Sequence, residues 1–384
     1  MNKIKIKNFT DVVTGGTPST SKTEYWEKGD IPWLNSGELN QKIITTTRNY
    51  ITKLGLEKSS SRLMCKDTVV MALTGSTTGV VGYLTFEACA NQSVTGILPS
   101  SKHNSKYLYH YLNFIRPKVL NDAYGGAQPH ISQGYVKELE IPLPTIATQQ
   151  KIANILDKAD ELTQYNKQLI EKYDALTQSL FLDMFGDPIY NPKKWEEVKF
   201  SEVGQLDRGK SKHRPRNAPE LLNGPYPLIQ TGDVANSNGY INHYKATYSE
   251  FGLKQSKKWP KGTLCITIAA NIAKTGILNF DACFPDSVVG FVPNEKTNNI
   301  YVQHWMSFLQ SMIEEKAPMA AQKNINLAIL KDLQFMKPSI KLQNEFAERV
   351  QLIDNQKQQS QETLEKSEAL FESLVQKAFK GELY

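Results

Sequence analysis

The chain has 384 residues, which is too long for one ordinary hydrophobic core and suits two or three domains. Its composition, 40% hydrophobic and 22% charged, excludes a fibrous or intrinsically disordered protein. The formal net charge of +6 is too small for this length to identify a nucleic-acid partner by itself.

The distribution of charge along the chain is more informative than its total. Residues 1–145 hold 16 Lys and Arg against 11 Asp and Glu, and residues 187–340 hold 19 against 14. Residues 146–185 hold 4 against 6, and residues 341–384 hold 6 against 8. Two basic segments separated by acidic ones are typical of a surface that binds a polyanion. Chance variation in a cytoplasmic protein is the alternative interpretation.

The N-terminal sequence and the cysteines indicate the compartment. MNKIKIKNFTDVV lacks the apolar run of a signal peptide, and no window reaches the roughly 18 apolar residues of a membrane span. We therefore expect a cytoplasmic protein. No CxxC pair or metal-ligand spacing occurs, so we expect no metal and interpret the cysteines as small core residues. They are Cys65, Cys89, Cys265 and Cys283.

Residues 1–145 have the sequence pattern of a mixed α/β domain. Residues 68–73 and 79–86 are short, β-branched and bounded by Gly or Asn, which predicts strands. Residues 106–120 have helical spacing. The same pattern returns in residues 187–340, with a strand at 264–269 and a helix at 300–315.

The two halves are related by a constant offset of 194 residues, as in a duplication. Near the start of each half the offset drifts by a few residues, as insertions in loops would cause. The matched pairs include Cys89 with Cys283, Gln128 with Gln322, Pro144 with Pro338, Gln149 with Gln343 and Phe185 with Phe379.

Each half ends in a long helix, predicted for residues 146–186 and 341–384. No Pro or Gly interrupts residues 146–185. Apolar residues recur there in alternating steps of three and four, which is a heptad seam. Its members are Ile152, Ile155, Ala159, Leu162, Asn166, Leu169, Tyr173, Leu176 and Leu180. In the second helix the seam is more polar around residues 356–361.

The chain order predicts how these helices pair. The first helix runs from the first domain to the second, so the second helix can bury its seam on the first only by running back. We therefore expect two antiparallel coiled-coil helices, pseudo-twofold symmetry, and Asn166 as a polar residue that fixes the register. A helix of about 40 residues is roughly 60 Å long and would suit two recognition surfaces one to two turns of B-DNA apart.

This arrangement resembles the specificity subunit of Type I restriction-modification systems. The resemblance covers the whole chain and rests on the order of several motifs. These are residues 29–38 and their partner ending in Thr231-Gly232-Asp233, residues 126–132 and 320–326, and the Pro-Leu-Pro-x4-Gln-Gln entry to a long helix.

The resemblance implies two target-recognition domains, residues 1–145 and 187–340, that each bind half of a split, asymmetric DNA sequence. It implies that two adenine methyltransferase subunits, which use S-adenosylmethionine, dock on the helices and that restriction subunits join them. For docking we expect the helix residues Leu162, Asn166, Leu169, Tyr173, Leu364 and Leu370.

The candidate DNA contacts are basic, hydroxyl and amide side chains in Gly-bounded loops. Such groups bind phosphates or the edges of bases. In the first domain they are Thr74, Ser76, Thr77 and His130. In the second domain they are Arg208, Lys210, Lys212, His213, Arg214, Arg216, Lys257, Lys258, Asn271, Lys274, Lys323 and Asn324. Solvated loops are the structural alternative, and the repeated Gln128 and Gln322 are better interpreted as turn caps.

Catalytic motifs are missing from the sequence. Asp187-Pro188-Ile189-Tyr190 approaches the methyltransferase turn but follows a helix, where Asp-Pro is a stop signal. Glu197-Val198-Lys199 supplies only part of a nuclease motif. We therefore predict a non-catalytic subunit that binds DNA. The alternative is a coiled-coil scaffold that binds proteins without recognising DNA.

Overall fold

The computed structural model describes residues 3–269, 272–316 and 326–383. The chain divides into two compact units. Unit 1 comprises Met1–Lys167 with Gln361–Tyr384, and unit 2 comprises Gln168–Ser360. Each unit therefore combines one globular half of the sequence with parts of both long helices. The two units divide within the long helices, whereas the domain limits expected at residues 145, 186 and 340 lie at helix ends. Those limits stay a prediction.

Ten α-helices occur in the described residues, and two of them are much longer than the rest. They are α1 (Lys53–Glu57), α2 (Ser105–Phe114), α3 (Arg116–Asn121), α4 (Gln133–Glu138), α5 (Ile146–Phe185), α6 (Thr231–Ala235), α7 (Glu250–Lys254), α8 (Asn299–Lys316), α9 (Leu327–Asp332) and α10 (Ile340–Lys380).

The strands are short and fall into two sets. In unit 1 they are β1 (Lys3–Lys5), β2 (Val12–Thr14), β3 (Ile31–Leu34), β4 (Ile43–Ile44), β5 (Asn49–Ile51), β6 (Val69–Ala72), β7 (Val81–Leu84), β8 (Cys89–Ala90), β9 (Val94–Ile97) and β10 (Glu140–Pro142). In unit 2 they are β11 (Glu197–Lys199), β12 (Gly204–Arg208), β13 (Leu222–Leu228), β14 (Gly239–Ile241), β15 (Ala246–Tyr248), β16 (Lys258–Trp259), β17 (Leu264–Thr267), β18 (Thr275–Leu278), β19 (Ala282–Cys283), β20 (Val288–Pro293) and β21 (Gln334–Met336).

The two units have the same sheet topology. In unit 1 a five-stranded sheet has the order β2-β9-β6-β7-β4, and a smaller sheet has the order β5-β3-β8. In unit 2 the matching orders are β12-β20-β17-β18-β14 and β15-β13-β19, with β16 added at the edge. Each large sheet ends in one parallel pair, β4 with β7 and β14 with β18. The mixed α/β duplication predicted from the sequence is confirmed.

The repeated Pro-x4-Gln motif builds the start of each long helix. The Gln149 side chain accepts a hydrogen bond from the Asn104 backbone N–H (2.8 Å) and donates one to the Pro144 carbonyl (2.9 Å). Gln343 bonds in the same way to Asn298 and Pro338, both at 2.9 Å. Both glutamines are buried, so these bonds satisfy polar groups that would otherwise be costly to bury.

Each core receives the end of a helix that begins in the other half of the sequence. In unit 1, Phe379 packs its ring against Tyr107, Tyr111 and Phe114, with ring centres 5.0–5.6 Å apart. In unit 2, the end of α5 fills the equivalent place. Because aromatic rings bury large apolar areas, these contacts hold the end of α10 against α2.

The ring contacts in unit 2 are closer and more deeply buried. Phe185 has no exposed surface and lies 4.7 Å from Tyr301 and 5.3 Å from Phe346, between ring centres. Phe181 stacks on the same tyrosine at 5.6 Å. Phe185 and Phe379, which are related by the repeat offset, therefore have the same packing role.

The helices run antiparallel in each unit. In unit 1, Asn166 Nδ2 donates to Ser367 Oγ (3.4 Å) and Lys167 forms an ion pair with Glu368 (2.8 Å). In the same unit Ala378 joins the core around Ile152, so rising numbers on α5 meet falling numbers on α10. Asn166 is 4% exposed, and the polar seam residue predicted from the sequence is confirmed.

The same direction holds in unit 2. There Lys357 Nζ lies 2.5 Å from Asp174 Oδ1, while Phe185, later on α5, packs on Phe346, earlier on α10. The polar residues in the middle of the second helix do not break the helix. α10 is continuous through residues 356–361.

The prediction of a buried seam was wrong for three residues that alternate with its buried members. Ile155, Leu162 and Leu176 are 37–49% exposed, whereas Thr163 and Thr177 are buried. The threonines can be buried because their hydroxyls donate to the carbonyls four residues earlier, at 3.0 and 3.1 Å. The prediction used apolar residues alone, so at these positions it assigned exposed residues to the helix interface in place of the buried threonines.

The cysteine prediction holds for three of the four residues. Cys89, Cys265 and Cys283 are buried, and burial raises the pKa of the Cys89 thiol to about 11. Cys65 is exposed, because it lies in the turn that precedes β6 and not in the strand itself.

Candidate nucleic-acid interface

The basic segment of unit 2, residues 208–216, begins at the last residue of β12 and continues as a loop held in place by polar contacts. The Gln255 side-chain oxygen accepts hydrogen bonds from the backbone N–H groups of Lys212 (2.6 Å) and His213 (3.1 Å). The Ser256 hydroxyl donates to the Lys210 carbonyl (2.9 Å). The structure therefore brings together the two basic clusters that the sequence places 43 residues apart, near 212 and 255.

Two arginines of this loop share one acidic residue. Arg216 Nη2 lies 2.6 Å from Asp286 Oδ1, and Arg208 Nε donates to the Asp286 carbonyl (2.9 Å). Arg214 donates to the carbonyl of Ser211 (2.7 Å), which closes the loop on itself. Only the Arg216 charge is neutralised by a carboxylate in these contacts.

Lys210 and Lys212 are the two lysines of the loop, and their charge, like that of Arg208 and Arg214, is not neutralised by a carboxylate in these contacts. Both side chains are exposed. Within the described ranges, no carboxylate lies close enough to either ammonium group to form an ion pair. Free cations on a fixed loop can bind phosphates without first breaking an internal salt bridge.

The neighbouring lysines are already paired. Lys257 Nζ lies 3.7 Å from the centre of the Trp259 ring and 3.4 Å from Asp207 Oδ2. This cation–π contact and ion pair hold Lys257 against the buried indole, which is 1% exposed.

Lys258 also faces a carboxylate, at 3.1 Å from Asp281 Oδ2. The backbone N–H of Lys261 and the Lys258 ammonium lower the pKa of Asp281, so this acid is ionised at neutral pH. Lys257 and Lys258 are therefore poorer candidates for phosphate contact than Lys210 and Lys212.

An exposed aromatic residue lies next to the basic loop. Phe251 is 50% exposed, and its ring centre lies 5.8 Å from the His213 ring. His213 Nε2 lies 3.5 Å from Glu220. Phe251 was not predicted from the sequence, although an apolar residue two positions after a Ser cap, in the first turn of a short helix, was a usable signal.

In unit 1 the two candidate segments also meet. The Gly75 backbone N–H donates to the Pro129 carbonyl (3.0 Å), and the Thr78 hydroxyl donates to the same carbonyl (2.6 Å). Thr74 and His130 form an isolated β-bridge. Ser76 is exposed at the tip of this paired loop, and Thr77 is half-buried and donates to the Thr74 carbonyl (3.2 Å).

Tyr124 belongs to the same surface but was missed in the sequence. It is 59% exposed, and its ring centre lies 5.0 Å from the His130 ring. Two backbone hydrogen bonds of 2.7 and 3.1 Å between these residues close a hairpin over residues 124–130. Gln128 does not cap this turn with its side chain as expected, because its amide is exposed and its backbone N–H makes the bond to Gly125 (3.1 Å).

The remaining candidates of unit 2 are only partly described. Lys274 is exposed, and its backbone N–H donates to the Thr267 hydroxyl (3.1 Å). Asn271, Lys323 and Asn324 lie outside the described residues.

Comparison with known proteins identifies the family. The family model for the Type I restriction modification DNA specificity domain matches residues 1–173 and 192–366. The chain belongs to the Type I specificity-subunit family. The two matched ranges repeat the duplication seen in the sheets.

The curated relatives are also Type I specificity subunits. The MjaIX specificity subunit of Methanocaldococcus jannaschii is 29% identical over 62% of this chain and 60% of that protein. The EcoR124I/EcoR124II specificity subunit of Escherichia coli is 29% identical over 48% of this chain and 46% of that protein. The similarity thus spans about half to three fifths of these relatives.

Solved structures share the fold over the whole length of this specificity-family chain. The S subunit of a Type I system from M. genitalium has a TM-score of 0.61 at 18% identity, covering 98% of this chain and 96% of that one. A chain from a structure on complex assembly and conformational transition of the type I R-M system has the same TM-score at 15% identity, covering 100% and 98%.

The helix residues predicted to dock partner subunits of this family member divide by exposure. In unit 1, Leu162 and Leu370 are 44% and 49% exposed, while Asn166 and Leu364 are buried. In unit 2, Leu169 and Tyr173 are half-buried.

The motifs weighed as catalytic have structural roles in this specificity-family chain. Asp187 accepts a hydrogen bond from the Ile189 N–H (2.7 Å) in the turn after α5. Lys199, the last residue of β11, lies 2.9 Å from Asp332 at the end of α9. In the described part of the chain, no group of three or more His, Cys, Asp or Glu side chains could hold a metal ion. No helix there is long and apolar enough to cross a bilayer.

Proposed function

We propose that this chain is the non-catalytic DNA-recognition subunit of a Type I restriction-modification complex. Each recognition domain binds one half of a bipartite, asymmetric DNA target. Two adenine methyltransferase subunits dock on the helices and carry S-adenosylmethionine, and restriction subunits join the full complex. The complex acts on double-stranded DNA in the cytoplasm.

The observation that carries this proposal is one sheet topology repeated with different loops. The sheets of the two units have matching strand orders. The loop after β12 holds Lys210 and Lys212, whereas its counterpart in unit 1 is rich in hydroxyl groups. A repeated scaffold with different contact residues is what recognition of two unlike half-sites requires, because base and phosphate contacts are made by individual side chains.

Docking of the methyltransferase is supported by the exposed apolar residues of α5. In unit 1, Ile155, Leu162 and Tyr165 are 37%, 44% and 59% exposed. Exposed apolar clusters on a helix are typical of protein interfaces. We propose that Leu162 belongs to the methyltransferase contact, whereas Asn166 and Leu364 act by holding α5 and α10 together.

Sequencing of methylated adenines tests the proposal. Cells that express the chain with its methyltransferase should methylate a two-part sequence, and cells that lack the chain should not. The proposal fails if the methylated sites are the same in both strains.

A protein-binding scaffold predicts a different result in solution. DNA binding through several phosphates must weaken steeply as salt rises, because bound counterions are released. A scaffold would show no DNA binding to titrate.

A further inference from the structure

The loop after the first strand of the large sheet is held by matching hydrogen bonds in the two units. In unit 1, the Gly15 N–H donates to the Val94 carbonyl (3.0 Å), and the Gly16 N–H donates to the Ala90 carbonyl (2.8 Å). The Ser61 hydroxyl then donates to the Gly16 carbonyl (2.5 Å).

Unit 2 repeats each of these bonds around its basic loop. The Gly209 N–H donates to the Val288 carbonyl (2.9 Å), and the Lys210 N–H donates to the Phe284 carbonyl (3.1 Å). The Ser256 hydroxyl donates to the Lys210 carbonyl (2.9 Å). Gly16 of unit 1 therefore occupies the place of Lys210.

The first glycine of each loop is required by a close approach of backbones. A Cβ atom on Gly15 would lie 2.1 Å from the Asn91 carbonyl oxygen, and one on Gly209 would lie 2.2 Å from the Phe284 carbonyl oxygen. Both distances are far inside van der Waals contact. The two loops thus leave their sheets at the same point and under the same constraint.

The far ends of the two loops are fixed in the same way. The Thr52 hydroxyl, which caps α1, donates to the Glu24 carbonyl (2.8 Å). The Ser249 hydroxyl, which caps α7, donates to the Glu220 carbonyl (2.6 Å). Residues 17–23 of unit 1 therefore connect the same two hydrogen-bonded anchor points as residues 211–219 of unit 2.

The chemistry of the two loops differs. Residues 211–219 read SKHRPRNAP and carry Lys212, Arg214 and Arg216, whereas residues 17–23 read TPSTSKT. Ser19, Thr20, Ser21 and Lys22 are all exposed. The Ser19 and Ser21 hydroxyls share one hydrogen bond (2.9 Å), and the Lys22 ammonium donates one to the neutral Tyr25 hydroxyl (3.1 Å). The remaining donors of these groups are suited to phosphate oxygens, and no carboxylate is involved in either contact.

We propose that residues 17–23 are the DNA-contacting loop of unit 1 and bind the phosphodiester backbone through Ser19, Thr20, Ser21 and Lys22. This inference rests on the proposed function and names a site that the sequence analysis left out. Because the loop holds one basic residue, its contacts release fewer counterions than those of the basic loop. Unit 1 therefore binds its half-site with the weaker salt dependence.

The test places charge on the proposed loop and on a matched site. Ser21-Lys22 has a counterpart in Ser101-Lys102, an exposed Ser-Lys pair of unit 1 in the turn between β9 and α2. Ser21→Glu is compared with Ser101→Glu in the full chain assembled with its methyltransferase. The probe is a DNA duplex that carries the sequence methylated in cells.

A carboxylate facing phosphates is repelled, so Ser21→Glu should weaken binding at least about tenfold. Ser101→Glu should stay within about twofold of the unmodified protein. Ser21→Lys is included to exclude a folding defect as the cause, because a gain in DNA affinity cannot come from misfolding. It should tighten binding and steepen the slope of log affinity against log salt by about 0.9, whereas Ser101→Lys should not.

The failures of this inference and of the proposed function are distinct. If Lys212→Ala weakens binding but both Ser21 variants behave like the Ser101 variants, residues 17–23 do not contact DNA and the inference is overturned. If none of these variants changes DNA binding, the proposed function fails together with the inference.

Discussion

The structure predicts which cations of unit 2 bind phosphate, and a pair of matched double variants tests it. Lys210 and Lys212 have no carboxylate partner among the described residues, whereas Lys257 and Lys258 are paired with Asp207 and Asp281. Replacing either pair of lysines by alanine removes two positive charges. The loop frame should survive in Lys210→Ala/Lys212→Ala, because its hydrogen bonds use backbone atoms of these residues.

The expected effect follows from counterion release. Each phosphate contact contributes about 0.9 to the slope of log affinity against log salt, so loss of two contacts lowers the slope by about 1.8. The same relation gives about 30-fold weaker binding at roughly 0.15 M salt. The measurement is a DNA titration of the complete methyltransferase complex between about 0.05 and 0.2 M salt.

The control decides whether direct contact or overall charge is responsible. Lys257→Ala/Lys258→Ala should lower the slope by less than about 0.5, because each lysine already neutralises an acid. Equal slopes for the two double variants would refute the assignment of phosphate contacts to Lys210 and Lys212.

Three further predictions concern the cores and the helix surface. Phe185→Ala should cost unit 2 about 3–5 kcal/mol, seen as lost hydrogen-exchange protection in unit 2 peptides, and Leu182→Ala, at a 41% exposed position, should cost less than about 1 kcal/mol. Burial lowers the pKa of His103 to about 4, below that of the unfolded chain near 6.5, so its contribution to stability is complete above about pH 6.5 and is lost as pH falls toward 4. Thermal unfolding of His103→Asn should therefore vary less with pH in that range than unfolding of the unmodified chain, and an equal dependence would contradict this. Leu162→Asp should reduce co-purification of the methyltransferase, while Glu161→Ala should not; retention by both would remove Leu162 from the contact.

The sequence predicted the elements best where a repeat constrained them. The offset between Gln149 and Gln343 was visible as a pattern, and it matches two buried side chains with identical bonds. Chain order alone was enough to predict the antiparallel helices, because a duplicated domain–helix unit leaves the second helix one direction in which to pair.

Features that depend on packing detail were not predictable. Thr163 and Thr177 are buried in the helix seam because their hydroxyls bond locally, which apolar periodicity does not detect. The equivalence of residues 17–23 and 211–219 was hidden because the two loops share no side-chain chemistry. Tyr124 was missed because only the hairpin bonds to His130 bring it to the candidate surface.

An exchange of one recognition domain tests the central claim most directly. Residues 187–340 are replaced by those of a relative with another specificity, and methylated adenines are sequenced in cells that also express the methyltransferase. We predict that one half of the methylated sequence changes and the other half stays the same. A change in both halves to the same degree would contradict independent recognition by two domains.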